Sequence, residues 1–127
     1  MTRYIIDSYA WIEYFDGSSA GEKVKRLLET SECFTSSLSI AEVTIKLLKK
    51  GMDPSEGYGL VCSLSKELPV TNAISFEAGK VYVEKRKKLK DIGIVDVIIM
   101  VQAREAGLAV LTGDREHFAG EKNVVFI

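Results

Sequence analysis

The chain has 127 residues, a formal net charge of −1, and is 46% hydrophobic and 28% charged. That length supports one hydrophobic core and not two, and the composition excludes disordered, collagen-like and fibrous classes. With so little net charge, any nucleic-acid partner must be held by a local patch and not by an overall field.

Taken in chain order, short apolar runs alternate with stretches of helical periodicity. Tyr4–Ile6 is a β-branched strand, and Tyr9–Phe15 a short helix closed by Asp16-Gly17. Ser18–Thr30 places Val24, Leu27 and Leu28 at helical spacing, and Cys33–Thr35 reads as a second strand. Ile40–Lys50 is a helix with Gly51 just past its end. Asp53-Pro54 opens another that runs to about Glu67, and Leu68-Pro69-Val70 reads as an edge strand, a position that tolerates proline. A charged helix is predicted over Ile74–Leu89 and a buried one over Val95–Ala106, which is apolar almost all round. Ala109–Thr112 and Val124–Ile127 are the last strands. The two cysteines, Cys33 and Cys62, have no metal-binding spacing and read as reduced core side chains. No run reaches the ~20 apolar residues of a membrane span, and Asp7 interrupts the only apolar stretch near the N-terminus, so a cytoplasmic protein is expected.

Strands alternating with helices predict a single α/β domain over residues 1–127 with a central, mainly parallel sheet. In such a sheet the carboxyl ends of the strands share one edge, and the next helices begin there. Four acids fall at that edge: Asp7 after the first strand, Glu42 in SSLSIAEV after the second, Asp96 in IGIVDVIIMVQA and Asp114 in LTGDREHF. Singly, each has a structural explanation. Asp is a favoured N-cap, and Ser39-x-x-Glu42 matches a capping box. Together they do not. Two like charges at ~4 Å repel by roughly 4 kcal/mol at an effective dielectric near 20, so converging carboxylates call for protonation or a cation. Helix N-termini favour the ionised forms. An all-oxygen donor set then points to Mg²⁺ or Mn²⁺, which suits phosphodiester hydrolysis.

The segments IIDSYAW, SLSIAEV, IGIVDVIIMVQAREAGLAVLTGD and NVVFI together resemble a PIN-domain protein, specifically a VapC-type toxin, over essentially the whole chain. The resemblance implies a three-layer α/β/α PIN-like domain with about five strands, acting as a metal-dependent endoribonuclease. It places Asp7, Glu42, Asp96 and Asp114 on the family's acidic quartet. Thr112 falls on the hydroxyl residue that orients the first aspartate, and Ser8 on its small polar neighbour. It also implies a homodimer and a cognate antitoxin. The DREHF segment spaces Glu116 and His117 slightly differently from the family pattern. On this reading Asp7 and Asp96 are the primary metal ligands, Asp114 completes the set or holds the ion through water, and Glu42 binds a second ion or orients water. Cleavage would leave 5′-phosphate and 3′-hydroxyl ends, and a single histidine rules out two-histidine ribonuclease chemistry within one chain.

The stretch Val83–Asp91 is basic, with Lys85, Arg86, Lys87 and Lys88, and leads toward Asp96. A shorter set, Lys46, Lys49 and Lys50, lies on the Glu42 helix, and this set and the basic stretch, Lys46 included, are candidates to hold an RNA backbone. Tyr9, Trp11, Tyr14 and Phe15 read as core. Among rivals, a receiver domain needs an acidic pair after the first strand, and a haloacid-dehalogenase phosphatase needs Asp-x-Asp; Asp7-Ser8-Tyr9 supplies neither. No GxxxxGK[ST] loop is present. An RNA-processing or quality-control nuclease, or a non-catalytic binding module of the same fold, remains open.

Overall fold

The computed structural model describes residues Met1–Ile127. In chain order the elements are β1 (Tyr4–Ile6), α1 (Ser8–Asp16), α2 (Ser19–Thr30), β2 (Cys33–Ser36), α3 (Ser37–Lys49) and α4 (Pro54–Leu64). Then come β3 (Lys66–Leu68), α5 (Asn72–Arg86), α6 (Ile94–Ala106), β4 (Ala109–Thr112), α7 (Arg115–Phe118) and β5 (Val124–Phe126). All five strands are parallel, in the order β3-β2-β1-β4-β5. No helix is long and apolar enough to cross a membrane.

The three-layer arrangement follows from period-two alternation in strands that are apolar on both faces. In β1, Ile5 packs into the core under α5 and α6, while Ile6 packs into the core under α1 to α4. Val110 and Leu111 of β4 divide the same way, in register with Ile5 and Ile6. Helix α6 is buried without a break from Val97 to Ala103, as its apolar sequence requires. On the opposite face Trp11 is fully buried, stacks on Phe15 and donates its Nε1–H to Thr35 Oγ1 at 3.1 Å.

Helices α1 and α2 meet closely at Gly21. A Cβ added there would lie 2.0 Å from the backbone carbonyl oxygen of Glu13. Backbone stands on both sides of that contact, so Gly21→Ala is expected to cost toward the upper end of the 1–3 kcal/mol typical of overpacking. Better helix propensity returns about 1 kcal/mol. The net loss of about 2 kcal/mol should appear in denaturant unfolding followed through Trp11; an unchanged midpoint would refute the close approach.

Several boundaries move for identifiable reasons. Strand β3 ends at Leu68, before Pro69, which has no N–H for the ladder; Gln102 Nε2 donates instead to the carbonyls of Leu68 and Pro69. Helix α3 starts at Ser37 on an Ser36 cap, so Glu42 sits in its second turn and the Ser39–Glu42 capping box does not form. Helix α5 begins at Asn72 because Thr71 caps it, and α4 stops at Leu64. Helix α7, a single turn, is not legible as a separate element in the sequence. Cys62 is exposed, not core; only Cys33 is buried, and burial pushes its thiol up to about 11.

From β1 the chain steps outward to β2 and β3. Helices α5 and α6 then carry it back to β4 on the other side of β1. The strand order therefore reverses around β1, and open parallel sheets bind ligands at the carboxyl ends beside such a reversal.

Candidate active site

Asp7 emerges from β1 at that reversal. Its backbone occupies the N-cap position of α1, but the carboxylate makes no capping bond to that helix. Instead Oδ2 accepts from Thr112 Oγ1 at 2.7 Å, while Oδ1 is buried with no partner. Thr112 Oγ1 in turn accepts from the Asp114 backbone N–H at 3.0 Å, which leaves its own proton for Asp7. One hydroxyl thus ties the end of β4 to the end of β1. Burial, opposed by the Thr112 bond and reinforced by the charges of Asp96 and Glu42, raises the Asp7 carboxyl to about 6.

The other three acids surround it from separate elements. Asp96 sits in the first turn of α6, whose N-cap is Gly93, and its carboxylate lies close to the Gly93 backbone. Burial and the neighbouring charge of Asp114 push Asp96 above the usual carboxylate range, against the lowering effect of that backbone. Asp114 caps α7: Oδ1 accepts from the His117 N–H at 3.1 Å, and Oδ2 lies 2.8 Å from His117 Nδ1. Glu42 reaches in from α3, where Oε1 accepts from Ser8 Oγ at 3.1 Å. Ser8 is buried and also accepts from Lys46 Nζ at 3.2 Å.

His117 is more closely engaged than its place in the sequence indicates. Its Nδ1 lies 3.6 Å from Asp96 Oδ2 as well as against Asp114, so it bridges two of the four acids. Burial disfavours the imidazolium, but the Asp114 bond and the charges of Asp114, Asp96 and Glu116 outweigh it and raise the His117 pKa. The available signal was the i,i+3 spacing from Asp114 in DREHF, which lets a capping aspartate meet its own histidine.

The basic stretch is largely committed to intrachain partners. Lys85 pairs with Glu121, which Arg104 also holds, and Lys87 pairs with Glu84. Arg86 donates to the Ile92 carbonyl and lies over the Tyr82 ring. Lys88 is exposed and enters no ion pair; it borders a groove that Glu116 also lines. Of the residues singled out as basic contacts, Lys46 alone is linked to the acid cluster by hydrogen bonds, donating to Ser8, which in turn donates to Glu42.

Ligand atoms of Asp96, Asp114 and His117 lie within 4.8 Å of one another. Asp7 is outside that tight set but near enough to Asp96 and Glu42 for their charges to raise it. A divalent cation fits this arrangement. It would give the unpartnered Asp7 Oδ1 a partner and offset repulsion that otherwise drives the buried Asp7 and half-buried Asp96 carboxyls toward protonation.

A family model for the PIN domain matches residues 4–120. The chain belongs to the PIN-domain family. Solved structures of similar fold include VapBC2 from Rickettsia felis bound to a DNA fragment from its promoter. It shares 17% identity over 99% of this chain and 98% of that one, with a TM-score of 0.77. VapC20 from Mycobacterium tuberculosis, described as a toxin that cleaves the sarcin-ricin loop, shares 18% identity over 95% and 98%, with a TM-score of 0.75. A toxin–antitoxin complex from Klebsiella pneumoniae shares 22% identity over 96% and 95%, with a TM-score of 0.73. No curated protein matches in sequence. At one sheet edge Asp7 and Asp114 follow parallel strands, Asp96 lies in the first turn of α6, and Glu42 reaches the same edge from the second turn of α3.

Proposed function

We propose that this PIN protein is a metal-dependent endoribonuclease and the toxin of a toxin–antitoxin pair. One observation carries the nuclease reading: Asp7 Oδ1 is buried without a partner beside carboxylates that raise its proton affinity. Selection for stability alone would not keep such a group, whereas a cation site requires it. Asp7, Asp96 and Asp114 would hold Mg²⁺ or Mn²⁺, the ions suited to hard oxygen donors. When bound, such an ion lowers the pKa of water and neutralises charge on the reacting phosphate.

The chain's own residues do the rest. Thr112 fixes one oxygen of Asp7 and leaves the other free, and His117 holds Asp114 by both oxygens. Glu42, oriented by Ser8, is placed to hold the attacking water or a second ion. Water attacks phosphorus, the bond to the ribose 3′-oxygen breaks, and the fragments carry a 5′-phosphate and a 3′-hydroxyl. The ribose 2′-hydroxyl takes no part. Lys46 on one side and Lys88 on the other supply cations for the RNA backbone.

Solved structures of the same fold that are toxin–antitoxin complexes support an antitoxin partner for this chain. The exposed apolar side chains of α3 and α4, among them Ile45, Leu48 and Tyr58, support a homodimer. Action on RNA would place it in the cytoplasm.

The test is cleavage of an end-labelled single-stranded RNA panel with Mg²⁺, with Mn²⁺ and with chelator. Metal-dependent cuts bearing 5′-phosphates are expected. Metal-dependent RNA binding without cleavage would instead identify a binding module of the same fold. Efficient cutting without an antitoxin gene neighbour would favour an RNA-processing enzyme.

A further inference from the structure

Beside the acid cluster, and joined to it through the Lys46–Ser8–Glu42 hydrogen bonds, lies a groove between α1 and α3 of about 330 Å³, lined by Tyr9, Ile12, Glu13, Lys46, Lys49 and Lys50. Tyr9 was expected in the core by its position after a buried strand, yet it is 42% exposed. Single exposed aromatic residues are common, but this one is fixed in place. Its ring lies directly on Gly113, where a Cβ would stand 2.3 Å from Tyr9 Cε1. Gly113 connects Thr112 to Asp114, so the ring rests on the backbone between the residue that orients Asp7 and the fourth acid.

The charges in the groove are unequally committed. Lys50 is paired with Asp16, and Glu13 accepts from Ser18 Oγ at 2.6 Å. Lys46 and Lys49 enter no ion pair. Lys46 Nζ contacts only Ser8 Oγ, one bond away from Glu42. A largely apolar groove with an exposed aromatic ring, bordered by two lysines that enter no ion pair and lying next to the acid cluster, has the chemistry of a single-strand nucleic-acid subsite. Unpaired bases stack on aromatic rings, and lysines track the backbone. A duplex keeps its bases stacked on one another and offers none to Tyr9.

We propose that the groove between α1 and α3 is a nucleotide subsite for single-stranded RNA, with an unpaired base stacked on Tyr9 and the adjoining phosphate held by Lys46. This rests on the nuclease reading and ties its single-stranded substrate to a named base contact. It also assigns Tyr9 a contact to substrate and Lys46 a single phosphate.

The experiment measures binding of a fluorescein-labelled single-stranded RNA, with and without 2-aminopurine along its length, to Asp96→Asn protein in Mg²⁺. Cleavage kinetics are followed in the otherwise native chain. Stacking on Tyr9 should quench 2-aminopurine at one position. Tyr9→Leu, which keeps apolar cover on Gly113 without a π face, should abolish the quench and weaken binding about ten- to a hundredfold. Tyr9→Phe should restore both to within about twofold. Lys46→Met should lower the slope of log affinity against log salt by about 0.7, the value for one phosphate of a single strand. A base-paired version of the same RNA should bind no better to the native groove than to Tyr9→Leu.

Metal-dependent cutting whose KM is unchanged in Tyr9→Leu and Lys46→Met would overturn the subsite and leave the nuclease intact. Loss of RNA binding in both variants, in a protein that cuts nothing, would sustain the groove and overturn the nuclease. A chain that neither binds nor cuts any RNA overturns both.

Discussion

Asp7→Asn is expected to make the metal-free protein more stable while abolishing RNA cleavage. At pH 7.5 the native Asp7 is ionised in a buried position, although its surroundings have carried its pKa from 3.8 to about 6. Holding the charge there costs about 3 kcal/mol relative to the unfolded chain. Asparagine keeps the shape and offers Thr112 the same acceptor, but it carries no charge to repel Asp96 and Glu42. Part of the gain is lost because the amide nitrogen inherits the position where Oδ1 finds no partner. A net gain of about 1–2 kcal/mol remains, worth several degrees in a domain of this size. Cleavage should fall at least about a hundredfold, because the substitution removes a ligand charge from a site whose ion supplies several kcal/mol of transition-state stabilisation. Asp96→Asn separates the two effects. It should lose activity equally but gain less stability, since the Asp96 carboxylate is less buried than that of Asp7. Unfolding in chelator, read through the buried Trp11, checks the first half, and RNA cleavage with Mg²⁺ the second. An Asp7→Asn protein less stable than the native chain in chelator would mean that the carboxylate is comfortably solvated and no cation site need be invoked.

The difference between what the sequence makes visible and what it hides follows from how each feature is encoded. The parallel sheet was legible because Ile5-Ile6 and Val110-Leu111 bury both faces of short strands, which produces continuous apolar runs. The positions of Asp7 and Asp114 follow from topology: an acid just after a parallel strand arrives at the shared edge, whereas Asp96 and Glu42 reach it from the first turn of α6 and the second turn of α3. Their local roles did not follow. A capping box predicted from Ser39 and Glu42 gives way to a Ser36 cap, because helix α3 begins directly where β2 ends. Asp7 looks like a cap in sequence and occupies the cap position, but Thr112, 105 residues away, takes its oxygen. No local pattern encodes that bond. His117 and Tyr9 were hidden for the same reason. The histidine matters because a one-turn helix turns it back onto Asp114, and the tyrosine is exposed because Gly113 brings backbone beneath its ring. The charge run Val83–Asp91 shows the opposite error of emphasis. It is conspicuous in sequence, yet Glu121, distant in the chain, neutralises Lys85.

The metal-free protein should lose stability as pH rises from 5 to 8, the reverse of ordinary acid denaturation. Asp7 ionises near 3.8 in the unfolded chain and about 6 in the folded one. Between those values the folded state holds a proton that the unfolded state has released, so unfolding becomes easier as pH increases. The penalty is absent below the lower value and complete above the higher. Asp96 is raised in the same direction, by burial and by Asp114. His117 adds to the trend: its folded pKa is raised, so its contribution is present below 6.5 and fades as pH passes the folded value. Glu32, lowered by Lys66, acts oppositely but on an exposed surface where solvent screens it. A bound divalent cation should cancel the trend, because it holds the carboxylates ionised and displaces the protons they would otherwise keep. At a hundredfold excess over its dissociation constant the ion stabilises by about 2.7 kcal/mol. That increment should be large at pH 8 and small at pH 5, where protons compete for Asp7. Chemical unfolding at the two pH values, in chelator and with Mg²⁺ or Mn²⁺, gives the four stabilities needed. A metal increment equal at both would show that binding does not engage Asp7 or Asp96. Stability in chelator that climbs toward pH 8 would show that the buried carboxylate is not the strained group on which the nuclease reading depends.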